Sequence, residues 1–103
     1  MEDPMIVAIA AQPDCARVEV AGEIDSATSP RLAAAIDEAM KANTRRIEID
    51  ASRVTFIDSA GLRVLVAAQR TAEEDGRRIT IVSPSETTER LLEITGLSEY
   101  LLA

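Results

Sequence analysis

At 103 residues the chain has room for one domain, and its 47% hydrophobic content is enough for a single packed core. Its 18 acidic residues outnumber its 11 basic ones, so the formal net charge of −7 repels a nucleic-acid backbone. Only Phe56 and Tyr100 offer aromatic rings on which bases could stack. Length, composition and charge thus argue against a nucleic-acid-binding protein.

The missing residue types exclude several kinds of chemistry. Without His, the chain has no Ser-His-Asp or Cys-His catalysis and no His-ligated metal. The single Cys15 forms no internal disulfide, and its place in a β-type stretch favours a buried structural thiol over a redox role. The sequence contains neither of the glycine-rich nucleotide-binding motifs GxxxxGK[ST] and GxGxxG, so no motif supports nucleotide binding. We expect no catalytic residue, no metal and no cofactor.

The hydropathy pattern predicts a cytoplasmic protein without direct membrane contact. No apolar run approaches the roughly 20 residues that a membrane span needs. The first four residues, Met1-Glu2-Asp3-Pro4, are acidic where a secretory signal would be basic.

Two β-type runs open the chain, over residues 5–10 and 15–21. The second run alternates, with Val18 and Val20 on one side, and residues 12–14 (Gln-Pro-Asp) form a turn between the runs. Two short runs joined by a turn predict a hairpin.

A helix follows the hairpin, with Ser29 as its cap and Pro30 at its first position. Asn43 is a plausible left-handed stop after it. Residues 46–50 alternate again and predict a third strand, and residues 51–58 are expected to form a connecting loop. The apolar face of this first helix comprises Leu32, Ala35, Ile36, Ala39 and Met40.

A second helix is expected to open at Asp58 or Ser59 and to end at Gly76. Its apolar face comprises Leu62, Leu65, Val66 and either Gln69 or Ala72. Residues 78–82 then predict a fourth strand.

The last helix is introduced by Ser83-Pro84-Ser85-Glu86, which combines a capping box with a proline at the first helical position. Its apolar residues are Leu91, Leu92 and Ile94. It should stop at Gly96, with Leu97 folding back on Leu92 in a Schellman-type contact.

This order predicts a mixed α/β sheet of four or five strands with all helices on one face, since helical crossovers between parallel strands are right-handed. Charged or polar residues occupy alternate positions of the central strands, so the other face should be largely solvated. A two-faced receiver domain would need apolar central strands and an acidic pair after its first strand, which this chain lacks. The interrupting residues are Arg17, Glu19, Arg46, Glu48, Asp50 and Thr80.

The most informative segment is Phe56-Ile57-Asp58-Ser59-Ala60-Gly61-Leu62. Asp58 or Ser59 can simply cap the helix, but Gly61 in a first turn costs about 1 kcal/mol relative to Ala. We therefore expect that something approaches the backbone there. A phosphoryl group on Ser59 would bring three acceptors that could bond the N–H groups of Ala60, Gly61 and Leu62. Such a group would be tolerated by the fold but not by an apolar or acidic partner.

Three motifs in sequence carry a family resemblance. Gly22-Glu23-Ile24-Asp25 follows the hairpin, the Asp58-Ser59 segment opens the second helix, and Leu91-Leu92-Glu93-Ile94-Thr95-Gly96-Leu97 closes the last one. Together they resemble the STAS domain family, in particular its bacterial anti-sigma factor antagonists. The resemblance runs from about residue 5 to residue 102 and implies a single STAS domain over residues 1–103.

The resemblance implies partner switching without catalysis. Unmodified members bind an anti-sigma factor, often itself a serine kinase, and so free a sigma factor for transcription. Phosphorylation of the Ser in the Asp-Ser pair ends this binding, and a phosphatase restores it. The implied phosphoacceptor is Ser59, and Ala60 stands where many members have a second Ser or a Thr. The implied partner surface comprises Asp25, Ser26, Thr28, Asp58, Ser59, Ala60, Gly61, Leu62 and Arg63.

Two alternatives stay open. STAS domains also serve as adaptors in membrane-transport or stress-signalling complexes, where Ser59 would remain unmodified. A small hydrolase built on Asp25, Asp50 and Asp58 is the other, although acidic residues at strand ends are mostly caps or solvated side chains.

Overall fold

The structure is a computed structural model that describes residues 5–11 and 14–102. The predicted turn at 12–14 therefore lies, apart from Asp14, outside the described residues. The elements, in chain order, are β1 (Met5–Ala11), β2 (Cys15–Ile24), α1 (Ser29–Met40), β3 (Arg46–Ile57), α2 (Ser59–Glu74), β4 (Arg78–Val82), α3 (Glu86–Thr95) and α4 (Ser98–Leu101).

The described strands form one mixed sheet in the order β1-β2-β3-β4. Strand β1 pairs antiparallel with β2, which confirms the predicted hairpin, and β2, β3 and β4 run parallel. Each parallel connection is a helical crossover, α1 between β2 and β3 and α2 between β3 and β4.

The predicted loop at residues 51–58 is wrong, because β3 continues to Ile57. Its pairing with β2 shifts register twice, so β3 carries extra residues relative to its neighbour. The buried residues Ala51, Val54 and Ile57 consequently follow one another at intervals of three instead of two. The period-2 signal disappears at these irregularities, although the strand does not end there.

The core lies on one face of the sheet, where α1, α2 and α3 pack. The alternating residues of β2 and β3 point into it as predicted, with Val18 and Ile47 fully buried. On the open face, Arg17 bonds Glu48 at 3.1 Å and Asp50 at 3.0 Å. The predicted division into a covered face and a charged, solvated face is therefore confirmed for these strands.

Cys15 is buried, as predicted. Burial, with the nearby charge of Glu48, raises the pKa of its thiol above the ordinary value. The reactive thiolate is thereby disfavoured.

The helix starts differ from the predictions in two places. Thr28, not Ser29, occupies the cap position of α1, and its side chain makes no capping bond there. Helix α3 is capped by Ser85, whose Oγ accepts from the N–H of Thr88. The predicted capping box from Ser83 to Glu86 is wrong because Ser83 adopts φ 50°, outside the helix.

Two predicted helix endings are confirmed. Asn43 adopts the left-handed conformation, with φ 62°. At the end of α3, Gly96 has φ 76°, and the N–H groups of Gly96 and Leu97 donate to the carbonyls of Glu93 and Leu92. This pair of bonds is the Schellman motif.

The side chain of Gln69 hydrogen-bonds to the backbone along the outer edge of β4. Its fully buried side-chain amide donates to the carbonyl of Ile79 and accepts from the N–H of the same residue. It also donates to the carbonyl of Tyr100 at 3.1 Å, and Leu102 bridges to Ile81 further along the strand. A side chain and the last described residue thus satisfy backbone groups that an edge strand would otherwise expose.

Candidate functional site

The candidate site begins at the first turn of α2, where Asp58 is the N-cap. One of its carboxylate oxygens accepts from the N–H of Ala60 at 2.9 Å and from the N–H of Gly61 at 3.3 Å. Of the two candidates that the sequence left open, the cap is therefore Asp58, and Ser59 is the first residue of the helix.

Ser59 is exposed, and in the described part of the chain no hydrogen bond holds its hydroxyl. The N–H groups of the predicted phosphate cradle are not free in the unmodified protein, however, because Asp58 already accepts from them. Asp58 binds the N–H groups of Ala60 and Gly61 through its carboxylate, and its carbonyl accepts from the N–H of Leu62 at 3.1 Å. Ser59 is therefore exposed for modification, while the first-turn N–H groups next to it already have acceptors.

The loop between β2 and α1 forms a second part of the site. One carboxylate oxygen of Asp25 accepts from the N–H of Ala27 at 2.9 Å and from the N–H of Thr28 at 3.0 Å. The Thr28 hydroxyl accepts from the N–H of Asp25 and donates to the carbonyl of Glu23. The side chains of Asp25 and Thr28, at the two ends of this loop, thus hold its backbone by hydrogen bonds. The residues between them, Ser26 and Ala27, are exposed.

Strand β2 ties the two parts together. The N–H of Asp58 donates to the carbonyl of Ile24, the residue before Asp25, at 3.2 Å. A Cβ on Gly61 would lie 2.5 Å from Cγ2 of Ile24 and 3.0 Å from Cγ1 of Ile57. The close approach expected at Gly61 is therefore made by the domain's own core.

The structure sorts the nine predicted surface residues into three groups. Ser26, Ser59 and Arg63 are exposed. Asp25, Asp58 and Ala60 are half-buried. The buried residues Thr28, Gly61 and Leu62 support the surface from below instead of presenting a side chain on it.

Two exposed hydrophobic residues were not among the predicted site residues. Phe56 is 46% exposed, and Ile94, one of the apolar residues of α3, is 75% exposed. The signal for Phe56 was present, since it precedes the Asp58-Ser59 pair in the singled-out segment. No signal in the sequence distinguishes Ile94 from the buried apolar residues of the same helix, such as Leu92.

The three carboxylates of the hydrolase alternative have separate structural roles. Asp58 caps α2, Asp25 fixes its loop, and Asp50 pairs with Arg17 on the open face. Partial burial favours a higher pKa for Asp50, but hydrogen bonds from Ser52 and Arg17 outweigh it and hold the pKa below its ordinary value. A carboxyl poised as a general acid would need the opposite shift.

Over residues 5–11 and 14–102, no cluster of three or more His, Cys, Asp or Glu side chains is placed to hold a metal ion. Within the same ranges, every helix is too short or too polar to span a membrane.

Comparisons with known proteins agree with this arrangement. The family model described as "Mlab, STAS domain" matches residues 7–103. The chain is 34% identical over 82 residues to the anti-sigma-B factor antagonist of Listeria monocytogenes, covering 80% of this chain and 72% of that protein. With the anti-sigma-B factor antagonist of Staphylococcus aureus it shares 31% identity over 84 residues, covering 82% and 78%.

A solved structure gives the same result. The crystal structure of an anti-sigma factor antagonist from Mycobacterium paratuberculosis matches with a TM-score of 0.83 at 28% identity, covering 94% of this chain and 82% of that one. The chain therefore belongs to the STAS domain family. Its relatives named above carry the name anti-sigma factor antagonist.

Proposed function

We propose that this chain is an anti-sigma factor antagonist switched by phosphorylation of Ser59. The unmodified protein binds an anti-sigma factor that is also a serine kinase, and this binding releases a sigma factor in the cytoplasm. The kinase phosphorylates Ser59, the complex dissociates, and a phosphatase reverses the modification. The observation that carries the proposal is the exposed Ser59 hydroxyl, which no hydrogen bond holds in the described part of the chain, in a domain similar to antagonists.

The geometry supports a switch that acts through charge. Phosphorylation adds about −1.5 to −2 charges to Ser59. Because Asp58 already occupies the N–H groups of the first turn, these donors do not neutralise the added charge. The half-buried carboxylates of Asp25 and Asp58 flank the same surface, so the modified form presents a concentrated negative patch. A partner surface that fits the unmodified form is then repelled.

The proposed contact residues are those with accessible side chains, Ser26, Ser59 and Arg63, together with the half-buried Asp25, Asp58 and Ala60. Thr28, Gly61 and Leu62 hold these residues in place. The proposal needs no cofactor or metal and makes Ser59 a substrate of the kinase, not a catalytic residue.

The test compares wild type, Ser59→Ala and Ser59→Glu for binding to purified anti-sigma kinases of the host by titration calorimetry. Wild type and Ser59→Ala should bind equally, and Ser59→Glu should bind at least about a hundredfold more weakly, since opposed like charges cost several kcal/mol. With kinase and ATP, one phosphate should appear on wild type and on Ser26→Ala, but not on Ser59→Ala. Equal affinity of all three forms would contradict the proposal.

A second candidate, which membership of the STAS family leaves open, is the adaptor role in a membrane-transport or stress-signalling complex. It requires a membrane-associated partner that binds wild type and Ser59→Glu alike, and a Ser59 that stays unmodified in cells. Mass spectrometry of the protein purified from its host distinguishes the two candidates.

A further inference from the structure

An apolar groove lies beside the proposed partner surface. Over residues 14–102, Phe56 and Ile94 are the large hydrophobic side chains most exposed to solvent, and both line this groove between the end of β3 and α3. The groove is open to solvent and has a volume of about 330 Å³. The remaining lining residues are Ile57, Glu86, Thr87, Arg90 and Leu91.

The groove is continuous with the turn that carries Ser59. Ile57 lines the groove and also lies against the backbone of Gly61 in the first turn of α2. Only Ile57 and Asp58 separate Phe56 from Ser59 along the chain. A protein bound over Ser59 can therefore cover the groove within the same footprint.

The charge of α3 indicates what kind of side chain the groove receives. The helix carries three acidic residues, Glu86, Glu89 and Glu93, against the single basic residue Arg90, and all four are exposed. A partner element with a basic residue next to an apolar one complements both the acidic helix and the apolar groove.

We propose that the groove receives an apolar side chain, flanked by a basic residue, from the same anti-sigma factor that contacts Ser59. This inference rests on the proposed function and extends its interface from one helix turn to a second, apolar anchor. Binding energy in protein interfaces concentrates on a few desolvated anchors that fill pockets, whereas contacts at the solvated rim contribute little. The groove supplies such a pocket beside a surface that is otherwise polar.

The test measures the affinity of the same anti-sigma kinases for Ile94→Ser and Phe56→Ser, with Ile94→Leu as the matched control. Ile94 is 75% exposed, so both of its variants should keep the wild-type thermal midpoint. Each serine variant should weaken binding at least about tenfold, and Ile94→Leu should bind like wild type. A photo-crosslinker at position 94 should label the kinase, and one at Lys41, at the opposite end of α1 from the Asp25 loop and not in the lining of the groove, should not.

The outcomes separate the two proposals. If Ser59→Glu loses binding while both serine variants keep wild-type affinity, the groove inference is overturned and the switch stands. If the serine variants lose binding while Ser59→Glu does not, the groove is supported and the switch is overturned. Failure of wild type to bind any anti-sigma kinase of the host would overturn both.

Discussion

Gly61 gives the sharpest stability prediction, because the surrounding geometry fixes the consequence of adding one methyl group. In Gly61→Ala, the new Cβ would lie 2.5 Å from Cγ2 and 3.3 Å from Cβ of Ile24, and 3.0 Å from Cγ1 of Ile57. Carbon atoms pack at about 3.5–4.0 Å, so the closest contact falls short by about 1 Å or more. The Ile24 methyl is joined directly to its Cβ, so it cannot swing away independently. The helix or a strand must move.

Two opposing effects set the magnitude. Overpacking a core by one methyl group costs typically about 1–3 kcal/mol. Replacing Gly by Ala inside a helix recovers at most about 1 kcal/mol, and less in a first turn. We therefore expect a net loss of about 1–2 kcal/mol in the free energy of unfolding. For a domain of this size, each kcal/mol lowers Tm by about 4–8 °C.

The measurement is urea unfolding of wild type and Gly61→Ala, each also in an Ile24→Ala background. Removing Cγ2 of Ile24 opens space for the new methyl, so Gly61→Ala should become neutral or stabilising there. A neutral or stabilising effect of Gly61→Ala in the wild-type background would refute the reasoning, because it would show that the first turn of α2 has room to spare.

Two further predictions concern polar side chains, one in the core and one on the open face of the sheet. Gln69→Leu should lower the free energy of unfolding by at least about 3 kcal/mol in urea titrations, because it strands the buried backbone groups of Ile79 and the carbonyl of Tyr100; a loss under 1 kcal/mol would contradict this. The pKa of Asp50 in the folded protein lies below its ordinary value. Asp50 therefore stabilises the fold at pH values above its pKa in the unfolded chain, and this stabilisation is lost as the pH falls through its pKa in the folded protein. Between about pH 5 and pH 2, the range around the ordinary pKa of Asp, the free energy of unfolding should therefore fall more for wild type than for Asp50→Asn. Parallel curves of the free energy of unfolding against pH for the two proteins would contradict this.

The sequence pattern predicts most of the fold because alternation and helix ends are local signals. Val18 and Ile47 identify the covered face of the sheet, and Asn43 and Gly96 end their helices where the turn chemistry requires. The extension of β3 could not be predicted, since its register shifts depend on pairing with β2 and break the period at Val54.

The sequence predicts which segments form the candidate site, but not the hydrogen bonds within it. The Asp58-Ser59 pair and the Asp25 loop do come together, through the bond from Asp58 to Ile24. The residue types do not decide whether Asp58 or Ser59 caps the helix, because the choice depends on backbone angles. Since Asp58 is the cap, its side chain occupies N–H donors that the predicted phosphate cradle needed. The exposure of Ile94 depends on how α3 lies against the sheet, which its helical spacing does not specify.

The hydrogen bond from Asp58 to Ile24 has a kinetic consequence for any partner of this surface. Since loop and helix turn are fixed to adjacent strand ends, their conformational entropy is lost when the domain folds, not when the partner arrives. Association should then proceed in a single phase limited by encounter, without a slow step of loop ordering. The proposed phosphorylation of Ser59 would then weaken binding by repulsion at this surface, without a change in the fold beneath it.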